Sequence, residues 1–161
     1  MIFSIRSFSE AFLIQSSYNI LNSSSAVPGF YRYCNPDYLK FSYRSPNILK
    51  EIVAHEPDII CIQEMDNFRE FYLPQFSTYS YDALFTQRTG SKTDGCAIFY
   101  PRDHFYLSDK VEIQFNDLGP KFSFDNIAQI VLLEKISDKK DKVLPDKIVV
   151  VNTHLWWEPQ R

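Results

Sequence analysis

The chain has no surplus of positive charge to draw it onto nucleic acid. Its 17 Lys and Arg are outnumbered by 20 Asp and Glu, giving a formal charge of −3. Any binding of a polyanion must therefore be local, at a pocket. No membrane-spanning run is present either. The longest aliphatic stretches, such as Ile148-Val149-Val150-Val151, fall far short of the roughly 20 apolar residues a span requires. Cysteine is scarce: Cys34, Cys61 and Cys96 form an odd, scattered trio without metal-ligand spacing. They read as reduced thiols of an intracellular protein, expected in the cytoplasm, with mitochondrial or nuclear placement as alternatives. No internal repeat or low-complexity tract is visible. No secretory signal precedes Asn22-Ser23-Ser24, so that match to a glycosylation acceptor reads as chance. Met1 to Phe12 carries Arg6 and several serines, faintly like a transit peptide, but Glu10 and the single basic residue argue against import. Residues 1–12 are read as an N-terminal extension, and 13–161 as part of a larger domain whose C-terminal half is missing.

What is present is core-forming material. Hydrophobic residues make up 45% and aromatics 16% of the 161 residues, too rich for a disordered segment and enough for a real core. Ala11 to Leu21 reads as a strand. Residues 22–41, with Pro28, Gly29, Pro36 and three tyrosines, read as loop. Ser45-Pro46 has the form of a helix start, Ser as N-cap and Pro at the first helical position. Ile48, Leu49, Ile52 and Val53 then lie on one face, and Glu56-Pro57 stops the helix. The apolar run in Asp58 to Gln63 predicts a buried strand, and Asp66 to Phe76 a short helix broken near Pro74. Further strands are expected at Tyr81 to Gln87, Gly95 to Tyr100, Phe105 to Phe115, Ile127 to Ile136 and Ile148 to Asn152, with a charged connection before the last. Many strands with few helices predict packed mixed sheets.

Three of these strands end in a polar residue suited to chemistry: Asn19, Glu64 and His154. Strand ends are where sheet enzymes build sites, because the sheet fixes positions while loops shape the pocket. An ionised Glu there is costly unless paired or bound to a cation, and Mg²⁺ suits it, taking few protein oxygens and keeping waters for a phosphate. A neutral amide can orient a metal's water or a phosphate oxygen, and a histidine can donate to a phosphate. Taken singly, each has a plainer reading: a solvent-facing carboxylate, a strand-ending Asn, a hydrogen-bonded structural His. Their joint placement favours a site.

The order of motifs carries a resemblance. Ser17-Tyr18-Asn19-Ile20-Leu21 is followed by Tyr31-Arg32-Tyr33-Cys34-Asn35-Pro36, Tyr43-Arg44 and Ile48-Leu49-Lys50-Glu51-Ile52. Then come Asp58-Ile59-Ile60-Cys61-Ile62-Gln63-Glu64 and Lys92-Thr93-Asp94-Gly95-Cys96-Ala97-Ile98-Phe99-Tyr100. Asp125-Asn126-Ile127-Ala128 and Asn152-Thr153-His154-Leu155-Trp156-Trp157-Glu158-Pro159 complete the series. From about residue 13 to its end, the chain resembles the carbon-catabolite-repressor-type deadenylase, Angel and nocturnin branch of the endonuclease/exonuclease/phosphatase superfamily.

The resemblance implies the N-terminal half of a deoxyribonuclease I-like fold: a two-sheet α/β sandwich with a mixed sheet and flanking helices. It implies a Mg²⁺-dependent 3′–5′ exoribonuclease with poly(A) RNA as substrate, or alternatively a nocturnin-like dinucleotide phosphatase. By position, Glu64 would be the Mg²⁺ ligand, Asn19 would lie beside metal and scissile phosphate, and His154 would contact that phosphate. Pro159 and Trp157 would line the nucleobase pocket. Asp94, Gly95 and Asn152 would be scaffold, and Asp94 could equally cap a turn. The superfamily's second-half motifs, an Asp-x-Asn and a late Asp-His pair, are absent from these residues. So are the leucine-rich repeats by which some members are recruited. The expectation is therefore one sheet with an apolar inner face left uncovered, and a chain that is inactive and poorly soluble alone; a non-catalytic binding module is the competing class.

Overall fold

The computed structural model describes residues 2–6, 12–122, 124–136 and 144–155. Trp157 and Pro159 lie outside the described residues. Among the described residues, eight strands form two sheets. The first has the order β1-β2-β3-β5-β4, from β1 (Ile2–Arg6), β2 (Phe12–Asn19), β3 (Ile59–Met65), β4 (Tyr81–Gln87) and β5 (Gly95–Pro101). It is mixed: β2 and β3 run parallel, while the other neighbours are antiparallel. Ile2–Arg6, within the stretch expected to precede the domain, pairs with β2 along its length. The second sheet is an antiparallel β6-β7-β8, from β6 (Phe105–Gln114), β7 (Ile127–Lys135) and β8 (Lys147–Thr153).

The two faces of β3 show how the layers stack. Ile60, Ile62 and Met65 face a helical layer with Leu49, Ile52, Tyr72 and Phe76. Ile59 and Cys61 point the other way, into a core shared with Phe105, Val131, Leu133 and Val150 of the second sheet. Period-two alternation with both faces apolar is what a doubly covered strand requires. The expectation of one sheet with an uncovered inner face is thus overturned, because β6, β7 and β8 supply the covering layer within this chain. Exposed apolar surface lies instead on the far side of that second sheet, where Val111, Val149 and Val151 are each more than half exposed. The inner-face argument for poor solubility goes with it.

The helical layer also differs at its start. The loop holds a short helix α1 (Pro36–Leu39), and α2 runs Phe41–Val53 with Pro46 inside it rather than at its first position. Tertiary contacts outweigh the local Ser-Pro signal. Phe41 packs edge-on against Phe71 and Tyr72, and the Arg44 guanidinium donates to the Ile20 and Leu21 carbonyls. Side chains support the interrupted helix: Ser45 Oγ donates to the Phe41 carbonyl at 2.8 Å and Asn47 Nδ2 to that of Tyr43 at 2.7 Å. After β3 comes a wide helical turn, Phe68–Tyr72, and then α3 (Leu73–Ser77), with Pro74 tolerated in its first turn.

Gly95 begins β5 where it pairs with Gln87. A Cβ there would sit 2.2 Å from the Thr86 carbonyl oxygen and 2.9 Å from Gln87 Cα. Both are backbone atoms, so the strands would have to part. Gly95→Ala should destabilise the fold by about 2–3 kcal/mol, the cost of overpacking, with the midpoint of urea unfolding as the measurement. A midpoint unchanged from the parent would show that the strand pair yields freely.

Candidate functional site

β2, β3 and β8 deliver Asn19, Glu64 and His154 to one place. Asn19 Nδ2 donates to Glu64 Oε1 at 2.8 Å, and His154 Nε2 lies 3.4 Å from the same oxygen. The parallel pairing of β2 with β3 sets Asn19 opposite Gln63, so their ends coincide. Glu64 itself departs from strand geometry. The β3–β5 register slips between Ile62 and Met65, and Glu64 adopts a left-handed φ of 56°. Such a bulge re-aims a side chain out of the pleat. The result is a carboxylate with 15% of its side chain exposed, beside a His side chain with 32%.

Asn22 completes the setting and was missed in the sequence. Its backbone N–H and its Nδ2 donate to Glu64 Oε2 at 3.1 and 2.9 Å. Its own Oδ1 accepts from Ser24 Oγ and the Ser25 N–H, while the Ser23 N–H donates to Asp66 at 2.7 Å. The stretch Asn22-Ser23-Ser24, set aside as a chance acceptor motif, is the turn that closes over the carboxylate. An Asn followed by serines immediately after a strand is an Asx-turn signal, which could have flagged it.

These neighbours hold the Glu64 carboxyl down at about 2, from an ordinary 4.5. The His154 side chain contributes most; burial opposes it, and Asn19 and the Asn22 backbone assist. Between pH 4.5 and about 2 the unfolded chain therefore takes up a proton that the folded site refuses. The Glu64 contribution to stability is complete above that window and is lost as pH falls through it. In metal-free buffer, urea unfolding of Glu64→Gln should depend less on pH across this range than that of the parent. Equal pH dependence would contradict the assignment.

The cleft beside Glu64 has a volume of about 380 Å³ and is lined by Asn22, Ser25, Glu64, Arg88, Lys92, Asn126, His154 and Leu155. Arg88, Lys92 and Asn126 come from the β4–β5 loop and from the segment entering β7. Asp94 is buried 3.5 Å from Arg88 Nη1, and its carbonyl accepts the Arg88 N–H at 3.0 Å, so it organises the loop. Asn152, also buried, donates to the carbonyls of Ile62 and Ala97 at 3.0 Å each and accepts from Gln63 at 2.8 Å. It ties β8, and so the approach of His154, to the bulge that carries Glu64.

Among the described residues, Glu64 is the sole acidic side chain lining the cleft. Among the described residues, no set of three or more His, Cys, Asp or Glu forms a metal cage. One partly exposed carboxylate in a polar cleft fits Mg²⁺, which takes few protein oxygens and retains waters; it does not fit Zn²⁺, which wants three or four ligands. Asn19 has its Oδ1 engaged by the Leu21 N–H at 2.9 Å, so in this arrangement it orients the carboxylate.

No family model matches the sequence. Relatives do. The chain is 37% identical over 150 residues to protein angel homolog 2 of Danio rerio, covering 90% of itself and 26% of that protein. It is 32% identical over 177 residues to the CCR4-Not complex 3′-5′-exoribonuclease subunit Ccr4 of Yarrowia lipolytica, covering 94% of itself and 24% of that protein. Among solved structures, ANGEL2, a 2′,3′-cyclic phosphatase, superposes with a TM-score of 0.78 at 32% identity, over 91% of this chain and 42% of the other. The human nocturnin catalytic domain shares the fold, with a TM-score of 0.71 at 22% identity, over 98% of this chain and 54% of that one. The chain thus spans about a quarter of the curated relatives it matches. Over that part of their length it is homologous to the Angel and Ccr4 proteins, and it shares the fold of solved endonuclease/exonuclease/phosphatase proteins.

Proposed function

We propose that the protein is a Mg²⁺-dependent hydrolase of phosphodiesters that removes nucleotides from RNA 3′ ends, with poly(A) as the favoured substrate. The observation that carries this reading is the oriented carboxylate of Glu64, held by Asn19 and Asn22 beside His154 at the mouth of a polar cleft. Homology to a protein named as a 3′-5′-exoribonuclease supports it. Glu64 would hold the cation, which supplies charge to polarise the phosphate. His154 would donate a hydrogen bond to a phosphate oxygen as negative charge develops there. Asn19 and Asn22 keep the carboxylate in place, while Trp157 and Pro159 would face the nucleobase.

A second reading, hydrolysis of a 2′,3′-cyclic phosphate, is favoured by the likeness to the ANGEL2 structure. Both readings are tested by grafting this chain into Yarrowia lipolytica Ccr4 in place of the matched stretch. The graft is assayed on a 5′-labelled A-rich RNA and on adenosine 2′,3′-cyclic phosphate, with a chelator control. Shortening of the RNA that requires Mg²⁺ is the expected result. Opening of the cyclic phosphate alone would replace the first reading with the second, and a folded graft inert on both would contradict the proposal.

A further inference from the structure

Arg88 and Lys92 both line the cleft from the β4–β5 loop, but they are differently engaged. The guanidinium of Arg88 is occupied. Its Nε donates to the Asp125 carbonyl at 3.1 Å, and its Nη2 to the Phe124 carbonyl at 3.0 Å and Asn126 Oδ1 at 3.2 Å. Its Nη1 faces Asp94. It is a strut for the wall.

Lys92 has a fixed backbone and an uncommitted side chain. Its carbonyl accepts from Gln87 Nε2 at 2.7 Å and its N–H donates to the Thr89 carbonyl at 3.4 Å. The loop is clamped further at Gly90, whose φ of 64° brings the chain so close to Asp125 that a Cβ would lie 2.8 Å from both carboxylate oxygens. Asp125 in turn accepts from Thr89 Oγ1 at 2.9 Å and Asn116 Nδ2 at 2.8 Å. Those two donors are the main reason its carboxyl lies below the ordinary range, with Lys92 and Arg88 adding less. Among the described residues, the Lys92 ammonium makes no hydrogen bond or ion pair. A cation held on a rigid loop in a polar cleft, near the Asp125 carboxylate but hydrogen-bonded to none of the described residues, is suited to an anion that arrives with the substrate.

We propose that Lys92 is a substrate-binding residue that takes a backbone phosphate of single-stranded RNA in this cleft. The inference rests on the phosphodiesterase reading above and deepens it. A chain of net charge −3 would then gain its hold on a polyanion from local cations at the site. A phosphate contact carries no base information, so the hold should be the same for any sequence.

The test is fluorescence anisotropy of the purified chain with labelled oligoadenylate and oligouridylate, in chelator so that no RNA is consumed. Lys92→Gln should weaken both oligonucleotides about 3- to 10-fold at low salt, as expected for one exposed ion pair. It should also flatten the dependence of log Kd on log salt by about 0.7. Lys92→Arg should bind as the parent does. So should Lys110→Gln, since Lys110 lies on β6 and pairs with Glu112. If the parent binds and Lys92→Gln binds equally well with the same salt slope, the Lys92 assignment falls while the RNA reading stands. A loss on oligoadenylate alone would mean a base contact and would also overturn it. If the parent binds neither oligonucleotide, this assignment and the RNA reading fall together.

Discussion

Glu64→Gln in the Ccr4 graft should lower the Mg²⁺-dependent rate on the order of 10³-fold, the range seen when a single preorganised electrostatic group is lost. Glutamine has the shape of glutamate but is neutral and presents an NH₂ where one oxygen stood. The cation then loses its charged protein oxygen, in a cleft that offers no second acidic side chain among the described residues. The protein should still fold, with reduced stability. Both Glu64 oxygens accept hydrogen bonds, from Asn19 on one side and Asn22 on the other, so an amide at this position must turn donors against donors on one of them. Single-turnover rates at saturating Mg²⁺, with circular dichroism to confirm the fold, separate the two effects. A folded variant with the parent rate would remove Glu64 from the chemistry.

Asn152→Ala should cost about 3 kcal/mol of stability, because a fully bonded buried amide is removed and its partners are left unpaired. The affected groups are the Ile62 and Ala97 carbonyls and the Gln63 amide. They sit where the β3–β5 ladder slips, so the missing amide takes away what bridges the gap. Gln129, wholly buried on β7, lies 3.4 Å from Asn152 Nδ2 and donates onward to Thr86 Oγ1 at 2.9 Å. The loss therefore reaches across both sheets. Activity of the graft should fall with stability, since His154 follows Asn152 by two residues and depends on that anchor for its place beside Glu64. Denaturant unfolding gives the first quantity and the Mg²⁺-dependent rate the second. A loss below about 1 kcal/mol, within the range of an ordinary hydrogen bond, would mean that water or a neighbour fills the gap.

Much of this was legible in the residues. Apolar runs ending in Asn19, Glu64 and His154 located the strand ends, and the structure brings those three side chains together. The buried strand around Ile59-Ile60-Cys61-Ile62 was readable because every side chain in it is apolar, as a strand covered on both faces demands. What stayed hidden depends on contacts distant in sequence. The start of α2 at Phe41 is set by Phe71, Tyr72 and the carbonyls of Ile20 and Leu21, none of which a local Ser-Pro signal can report. The left-handed Glu64 has no sequence mark, since a bulge is decided by the partner strand. The layering was misjudged because alternation shows that a face is apolar but not which strands cover it; here β6, β7 and β8 do so. The cationic side of the cleft was overlooked because Arg88 and Lys92 sit in a polar loop, and only the clamp through Asp125 turns that loop into a wall.

The claim on which the rest depends is that Glu64 holds a divalent cation in this cleft. Paramagnetic line broadening of the amide signals of the chain on addition of Mn²⁺, in competition with Mg²⁺, tests it without reference to catalysis. Broadening centred on Asn19, Asn22, Glu64 and His154, reversed by Mg²⁺ and abolished in Glu64→Gln, is the result expected. Broadening that persists in Glu64→Gln, or that centres elsewhere, such as at Asp109 on β6, would contradict it.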